Sequence, residues 1–239
     1  MLARWAFALP LLLLSTLAAP HLLAGVPETG LWVGRAAATA VSREDGPSHP
    51  AVQAFSFPFI LHVDDAGTTR MLKTAVIVRV PPDGSGVLDP VPTVFAGGPN
   101  LLSHLQEIPQ THIANALRYA TAAYDFDGSS LPIDGQVQPG KTLSVKIVLP
   151  ATSNANPFRH RFHPDHDNKD DEGRPFSDDR EVYRIERTMS FALRPNGSID
   201  DGSMTGEFEE LITGLHVLPI TVTGNFYINR VSEAGALVE

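Results

Sequence analysis

The sequence predicts a mainly β chain: an antiparallel β-sandwich or partly open barrel with one short helix and long loops. Three observations carry this expectation. Phe55, Phe57, Phe59, Leu61 and Val63 recur with period two, as do Leu143, Val145, Ile147 and Leu149, and later Ile220, Val222, Phe226 and Ile228. Such alternation marks strands with one buried face. The 239 residues include 19 glycines and 20 prolines, a composition that suits turns better than helices. Hairpin signals stand at both ends of the chain, with no heptads, no internal repeat and no second composition regime, so residues 25–239 read as one domain.

The chain opens with MLARWAFALPLLLLSTLAAPHLLAG. Arg4 is a short positive region, Trp5 to Leu17 an apolar region, and Ala18, Ala19 and Ala24 are small residues at the cleavage distance of a signal peptide. Pro10 and Pro20 interrupt the roughly 20 apolar residues a membrane span needs. Residues 1–24 are therefore expected to be removed on export, after Ala19 or Ala24, leaving a secreted, periplasmic or extracellular protein.

Gly30 to Ser42 is the first expected strand. Phe55 to Val63 follows, with Pro58 pointing to an edge or an irregularity. His62 falls on the face opposite the phenylalanines and is expected to face solvent. Asp64-Asp65-Ala66-Gly67 makes a turn, and Leu72, Val76, Val78 and Val80 are expected as its return strand. Pro81 to Asn100 reads as a long loop. From Thr111, the spacing of Ile113, Leu117, Ala120 and Tyr124 predicts a short helix, then a strand ending at Asp125. His104 and His112 lie in this region at no telling spacing. Tyr183, Ile185, Met189, Phe191 and Leu193 line one face of a long strand, turned by Pro195-Asn196-Gly197. A shorter strand, Phe208 to Ile212, breaks at Gly214-Leu215-His216, and the last strand closes near Val231. His216 sits at a strand end, where site residues often lie, although a lone loop histidine is the simpler reading.

Chemistry concentrates in Asn156 to Glu172, NPFRHRFHPDHDNKDDE, which holds three of the nine histidines and five carboxylates. Pro164 removes a backbone donor and argues against a regular helix through it. A curved loop would bring His160, His163 and His166 together. Three neutral imidazoles and a water suit zinc or a similar divalent metal, with Asp165 and Asp167 as further ligands or as partners that orient a histidine. A calcium loop fits poorly: counted from Asp165, Lys169, Asp170 and Phe176 occupy positions that need an oxygen ligand, a glycine and a glutamate. The favoured reading is structural. Arg159 and Arg161 beside the aspartates would build a network that fixes one loop conformation.

Gly135 to Thr142, GQVQPGKT, matches the phosphate-loop pattern letter for letter. That loop works by opening a helix whose N-terminus holds phosphate. Here an alternating strand follows, and the match reads as chance in a turn. The formal charge of −9 and the lack of a basic patch beyond Arg159 and Arg161 disfavour nucleic acid. Membrane contact is expected only through the export signal. The chain has no cysteine, which excludes disulfides, thiol nucleophiles and a lipid-anchored cysteine.

Five segments together carry a resemblance: GLWVG (Gly30 to Gly34), FPFILHVD (Phe57 to Asp64), AAYDF (Ala122 to Phe126), NPFRHRFHPDHDN (Asn156 to Asn168) and GLHVLPITVTGNFYINRVS (Gly214 to Ser232). In this order the chain resembles an uncharacterised family of bacterial exported β domains. The resemblance implies an extracytoplasmic or surface setting beside other β modules, and no activity, ligand or site residue. This chain is expected to differ in being a nearly solitary copy behind its own export signal.

The function expected is a non-enzymatic, exported β domain that binds or scaffolds an envelope protein or polysaccharide. The alternative is a metal-dependent hydrolase using His160, His163 and His166, with Asp165 or Asp167 as base or as a partner that orients a ligand, and metal-bound water as nucleophile. No G-x-S-x-G elbow supports a serine hydrolase.

Overall fold

A computed structural model describes residues 28–43, 46–79, 92–113, 115–121, 123–150, 153–157, 184–198, 202–216 and 218–239. The fold is mainly β, as the alternation predicts. The strands are β1 (Gly30–Arg43), β2 (Gly46–Val63), β3 (Thr69–Leu72), β4 (Thr74–Val78), β5 (Thr93–Ala96), β6 (Leu117–Ala120), β7 (Ser130–Ile133), β8 (Thr142–Leu149), β9 (Ile185–Ser198), β10 (Ser203–Thr213), β11 (Ile220–Ser232) and β12 (Leu237–Val238). A short helix, α1 (Leu101–Gln106), and a single helical turn, α2 (Gln110–Ile113), lie between β5 and β6.

Eight strands form one antiparallel sheet in the order β7-β3-β2-β1-β11-β10-β9-β8. Its two edge strands meet at a bridge in which Asp134 and Ser144 exchange two 2.9 Å backbone hydrogen bonds. The sheet thus nearly closes into a barrel, and an eight-stranded barrel leaves an interior just wide enough for side chains to fill. Here the filling is aromatic. Phe191 packs against Phe59, Phe208 and Phe226 with ring centroids 4.7–5.4 Å apart, and Phe57 against Phe208 and Tyr124. Two glycines make room for these rings. A Cβ on Gly34 would run into the Phe59 ring and Ile228, and one on Gly206 into the Phe226 ring and the Ala192 carbonyl.

The second sheet, ordered β12-β5-β4-β6, packs on the outer face of β1, β2 and β3. Leu31, Ile60 and Leu72 of the barrel meet Ala75, Ile77, Val94 and Ala96 there. The other side of this sheet, Val76, Val78 and Phe95, receives Leu101, Leu105 and Ile108. Residues 75–78 are consequently buried in succession, which suits a strand covered on both faces better than a half-exposed hairpin arm.

Several sequence expectations are corrected by this layering. The return strand after the Asp64 turn is only β3; at Lys73 the chain leaves the barrel and enters the second sheet as β4. Val80 lies outside the described residues. The turn itself stands as expected: Asp64 Oδ1 accepts the Ala66 and Thr68 amides and Gly67 takes φ +82°. His62 does not face solvent. It is buried, because the second sheet and the C-terminal segment cover the outer face of β2. Within the expected long loop, Thr93–Ala96 is strand β5. The longer helical segment begins at Leu101 rather than Thr111, since Leu101 and Leu105 share the face that meets Phe95. Strand β6 ends at Ala120, before Tyr124. Pro195-Asn196-Gly197 does not turn the chain. It lies within β9, in a register irregularity opposite Met204 and Gly206. Pro58 fits its expectation: β3 pairs only with Ile60 to Val63, and the Pro58 carbonyl accepts the Thr121 hydroxyl at 2.8 Å instead of a ladder amide.

Candidate functional site

The histidine-rich stretch leaves and re-enters the described chain at one end of the barrel. His160, His163, His166, Asp165 and Asp167 all lie outside the described residues, as do residues 1–27 with the expected export signal. What the structure shows is how the two flanks are held. Asn156, the first residue of the stretch, is buried and donates from Nδ2 to the Leu149 and Pro150 carbonyls at 3.3 and 3.1 Å. The other flank returns at Ile185, which pairs with Leu149. Outside the barrel beside this pair, Glu186 bonds Lys146 at 2.6 Å and Arg184 at 2.8 Å. The Lys146 hydrogen bond, aided by the charges of Lys146 and Arg184, holds the Glu186 carboxyl below its ordinary range.

Inside the barrel, at this same end, sits an ion pair the sequence reading did not single out. Arg187 of β9 and Glu210 of β10 both project inward, their side chains 18% and 4% exposed, with Arg187 Nε bonded to Glu210 Oε1. Arg187 also donates from an Nη to the Ala123 carbonyl at 2.8 Å and lies 5.2 Å from the centroid of the Tyr124 ring. Both charges stand on otherwise apolar strand faces, between Ile185 and Met189 on one strand and between Phe208 and Ile212 on the next.

Residues 123–126 are the stopper over this pair. Tyr124 and Phe126 are buried, while Asp125 turns outward to accept the Ser153 hydroxyl at 2.6 Å. Lys73 donates to the Phe126 carbonyl at 2.6 Å, lies over the Phe126 ring and sits 4.0 Å from Asp125. Burial pushes the Tyr124 phenol well above its ordinary value, with the Arg187 charge opposing and the Glu210 charge reinforcing the shift. The phenol is thus a protonated, non-nucleophilic group at neutral pH. It has no hydrogen-bond partner among the described residues. The assembly neutralises its own charges and ties four segments together.

GQVQPGKT is the connection from β7 to β8, with Gly135 at φ +100° and Gly140 at φ +77°. The short strand before it, β7, is buried only at Ile133, and a strand and not a helix follows, so the amide cradle of a phosphate loop is not formed. His216 Nδ1 accepts the Leu218 amide at 3.2 Å within its own turn. His104 rests 6.1 Å from the Phe95 ring and bonds the Glu239 carbonyl. At the opposite end of the barrel a cleft of about 310 Å³ lies between Arg79, Pro92, Gly202, Arg230 and Glu233. Arg230 is engaged there by Glu28 and Glu233 and lies over the Trp32 ring. Among the described residues no three or more His, Asp or Glu side chains gather as metal ligands, and no helix is long and apolar enough to cross a membrane. Compared with models of protein families and with curated proteins, the chain matches none.

Proposed function

We propose that the chain is a non-enzymatic exported β domain that binds or scaffolds an envelope protein or polysaccharide. The supporting observation is the barrel interior. Phe57, Phe59, Phe191, Phe208 and Phe226 occupy it, and its ion pair is matched internally. Recognition then falls to the outer surface and the connecting segments, on a frame whose interior serves packing. The outer face of β11 supports this, with Tyr227 half exposed and Arg35 of β1 directly opposite in register. The resemblance carried by the NPFRHRFHPDHDN-type motif points the same way.

Export is tested by expressing residues 1–239 in a bacterium, fractionating, and sequencing the mature N-terminus. The expected product starts at Pro20 or Gly25 outside the cytoplasm. The purified mature chain is then expected to sediment with isolated cell envelopes. An uncleaved cytoplasmic product, or a chain left wholly in the supernatant, sinks the reading.

The second reading, a metal-dependent hydrolase, rests on the spacing of His160, His163 and His166 beside Asp165 and Asp167. Elemental analysis before and after chelator separates the two. The scaffold reading expects no stoichiometric metal and a melting curve indifferent to added zinc or calcium. One chelator-removable transition metal per chain would overturn it in favour of the hydrolase.

A further inference from the structure

Residues 233–239 tie the barrel to the second sheet. Ala234 is buried in the apolar layer between them, with Leu31, Ile60 and Leu72 on one side and Ala75 on the other. Leu237 and Val238 then pair in parallel with Val94 and Phe95, forming the edge of the second sheet. Glu239 returns to the barrel, where it meets Arg70 at 3.3 Å and the Ser129 and Ser130 hydroxyls. His62 joins this segment from the centre of β2: its Nε2–H donates to the Ala234 carbonyl at 3.0 Å, and the residue is 1% exposed.

We propose that residues 233–239 are an acid-released clasp, opened by protonation of His62. The carbonyl bond already uses the Nε2 proton. A second proton therefore goes to Nδ1 and places a full charge inside the apolar layer. Burial outweighs every other influence on this ring and holds it below the ordinary histidine value of about 6.5. Among the described residues, three charged groups act on it. Asp64 and Asp65, in the turn after β2, favour the imidazolium, and Arg70 of β3 opposes it. The clasp itself carries Glu233, paired with Arg230, and Glu239, paired with Arg70. His104 of α1 meets the clasp at the Glu239 carbonyl, away from the buried layer. The second sheet turns Ala75, Ile77, Val94 and Ala96 toward the layer.

The direction follows from the two protonation states. The closed clasp holds His62 neutral, and the open clasp lets it take a proton at its ordinary value. Closure is therefore at full strength above about pH 6.5 and is lost as pH falls from there toward the lower value of the closed state. Opening is expected in the clasp and not in β2. The clasp is held by a two-residue parallel strand, whereas β2 has 18 residues and β1 along most of one side.

Amide hydrogen exchange on the whole chain, expressed as protection factors to remove the intrinsic effect of pH, tests this. Whichever of the Leu237 and Val238 amides faces β5 is expected to lose protection by up to about tenfold per pH unit below 6.5. The β8 and β9 amides are expected to keep theirs. In His62→Gln the amide can still donate to Ala234 and takes no proton, so clasp protection is expected to be flat. A flat wild-type profile, an equal loss in His62→Gln, or loss of barrel protection in step with the clasp would each overturn the proposal. Should His62→Gln fail to protect its barrel amides at pH 7.5, NMR titration of the wild-type His62 ring decides. Its midpoint must fall within the pH range over which clasp protection is lost, and a midpoint outside that range overturns the clasp.

Discussion

Replacing Glu210 by alanine is expected to cost about 3–5 kcal/mol of stability. At about 2–4 °C per kcal/mol for a chain of this size, the loss is readily visible in a melting curve. The reason is less the energy of the pair than what remains when one partner goes. Arg187 stays inside the barrel, tied to the Ala123 carbonyl and lying against Tyr124, with no carboxylate among the described residues to compensate its charge. The same reasoning predicts that replacing both together, Arg187→Met with Glu210→Leu, recovers much of the loss, because apolar side chains of similar volume avoid desolvating either charge. It will not recover all of it, since the methionine cannot hold the Ala123 carbonyl. Thermal unfolding of Arg187→Met, Glu210→Leu and the double variant yields the coupling directly. Additive losses, with the double variant the least stable of the three, would show that the two charges are not functioning as a pair.

That pair was legible in the sequence, though it lies outside its most conspicuous polar stretch. Ile185, Arg187, Met189, Phe191 and Leu193 form one alternating face, and Met204, Gly206, Phe208, Glu210 and Ile212 another. Each has a single charge on the apolar side, of opposite sign, on strands that prove to be neighbours. A charge that breaks an alternating pattern signals a buried partner, because a buried charge must be paired. The histidine-rich stretch draws attention by density alone, and density says nothing about which groups the fold brings together. AAYDF is similar: the letters reveal an aromatic segment, but its use as a stopper over Arg187 depends on strands far away in sequence.

The period-two runs of β2, β8 and β11 needed only local pattern, so the mainly β class could be read directly. The corrections share a different cause. Whether the outer face of β2 meets water depends on β4, β5 and residues 233–239 lying over it, which no local pattern around His62 contains. Strands as short as β5, β7 and β12 have too few residues to show an alternation. Pro195-Asn196-Gly197 has the composition of a turn and lies instead in an irregular stretch of β9, because the chain reverses beyond Ser198. Turn chemistry is a local preference, and the ladder between β9 and β10 overrides it.

Truncating Phe191 to alanine is expected to destabilise the barrel by about 3–5 kcal/mol, the range for removing a fully buried aromatic side chain. Its ring touches Phe59, Phe208 and Phe226, which come from three other strands, so its removal leaves a cavity walled by three rings. Those rings cannot readily close the gap. Phe59 and Phe226 each fit against a glycine, Gly34 and Gly206, where the barrel wall is already at contact. Phe191→Leu, which keeps much of the volume, is expected to cost clearly less than Phe191→Ala. Chemical denaturation of both variants checks the ranking, since a cavity lowers the midpoint while leaving the slope unchanged. Equal losses for leucine and alanine would mean that ring contacts rather than filled volume set the cost. A loss below about 1 kcal/mol for alanine would mean that the barrel collapses onto the gap. In that case the interior would not be the rigid frame on which a surface role for this chain rests.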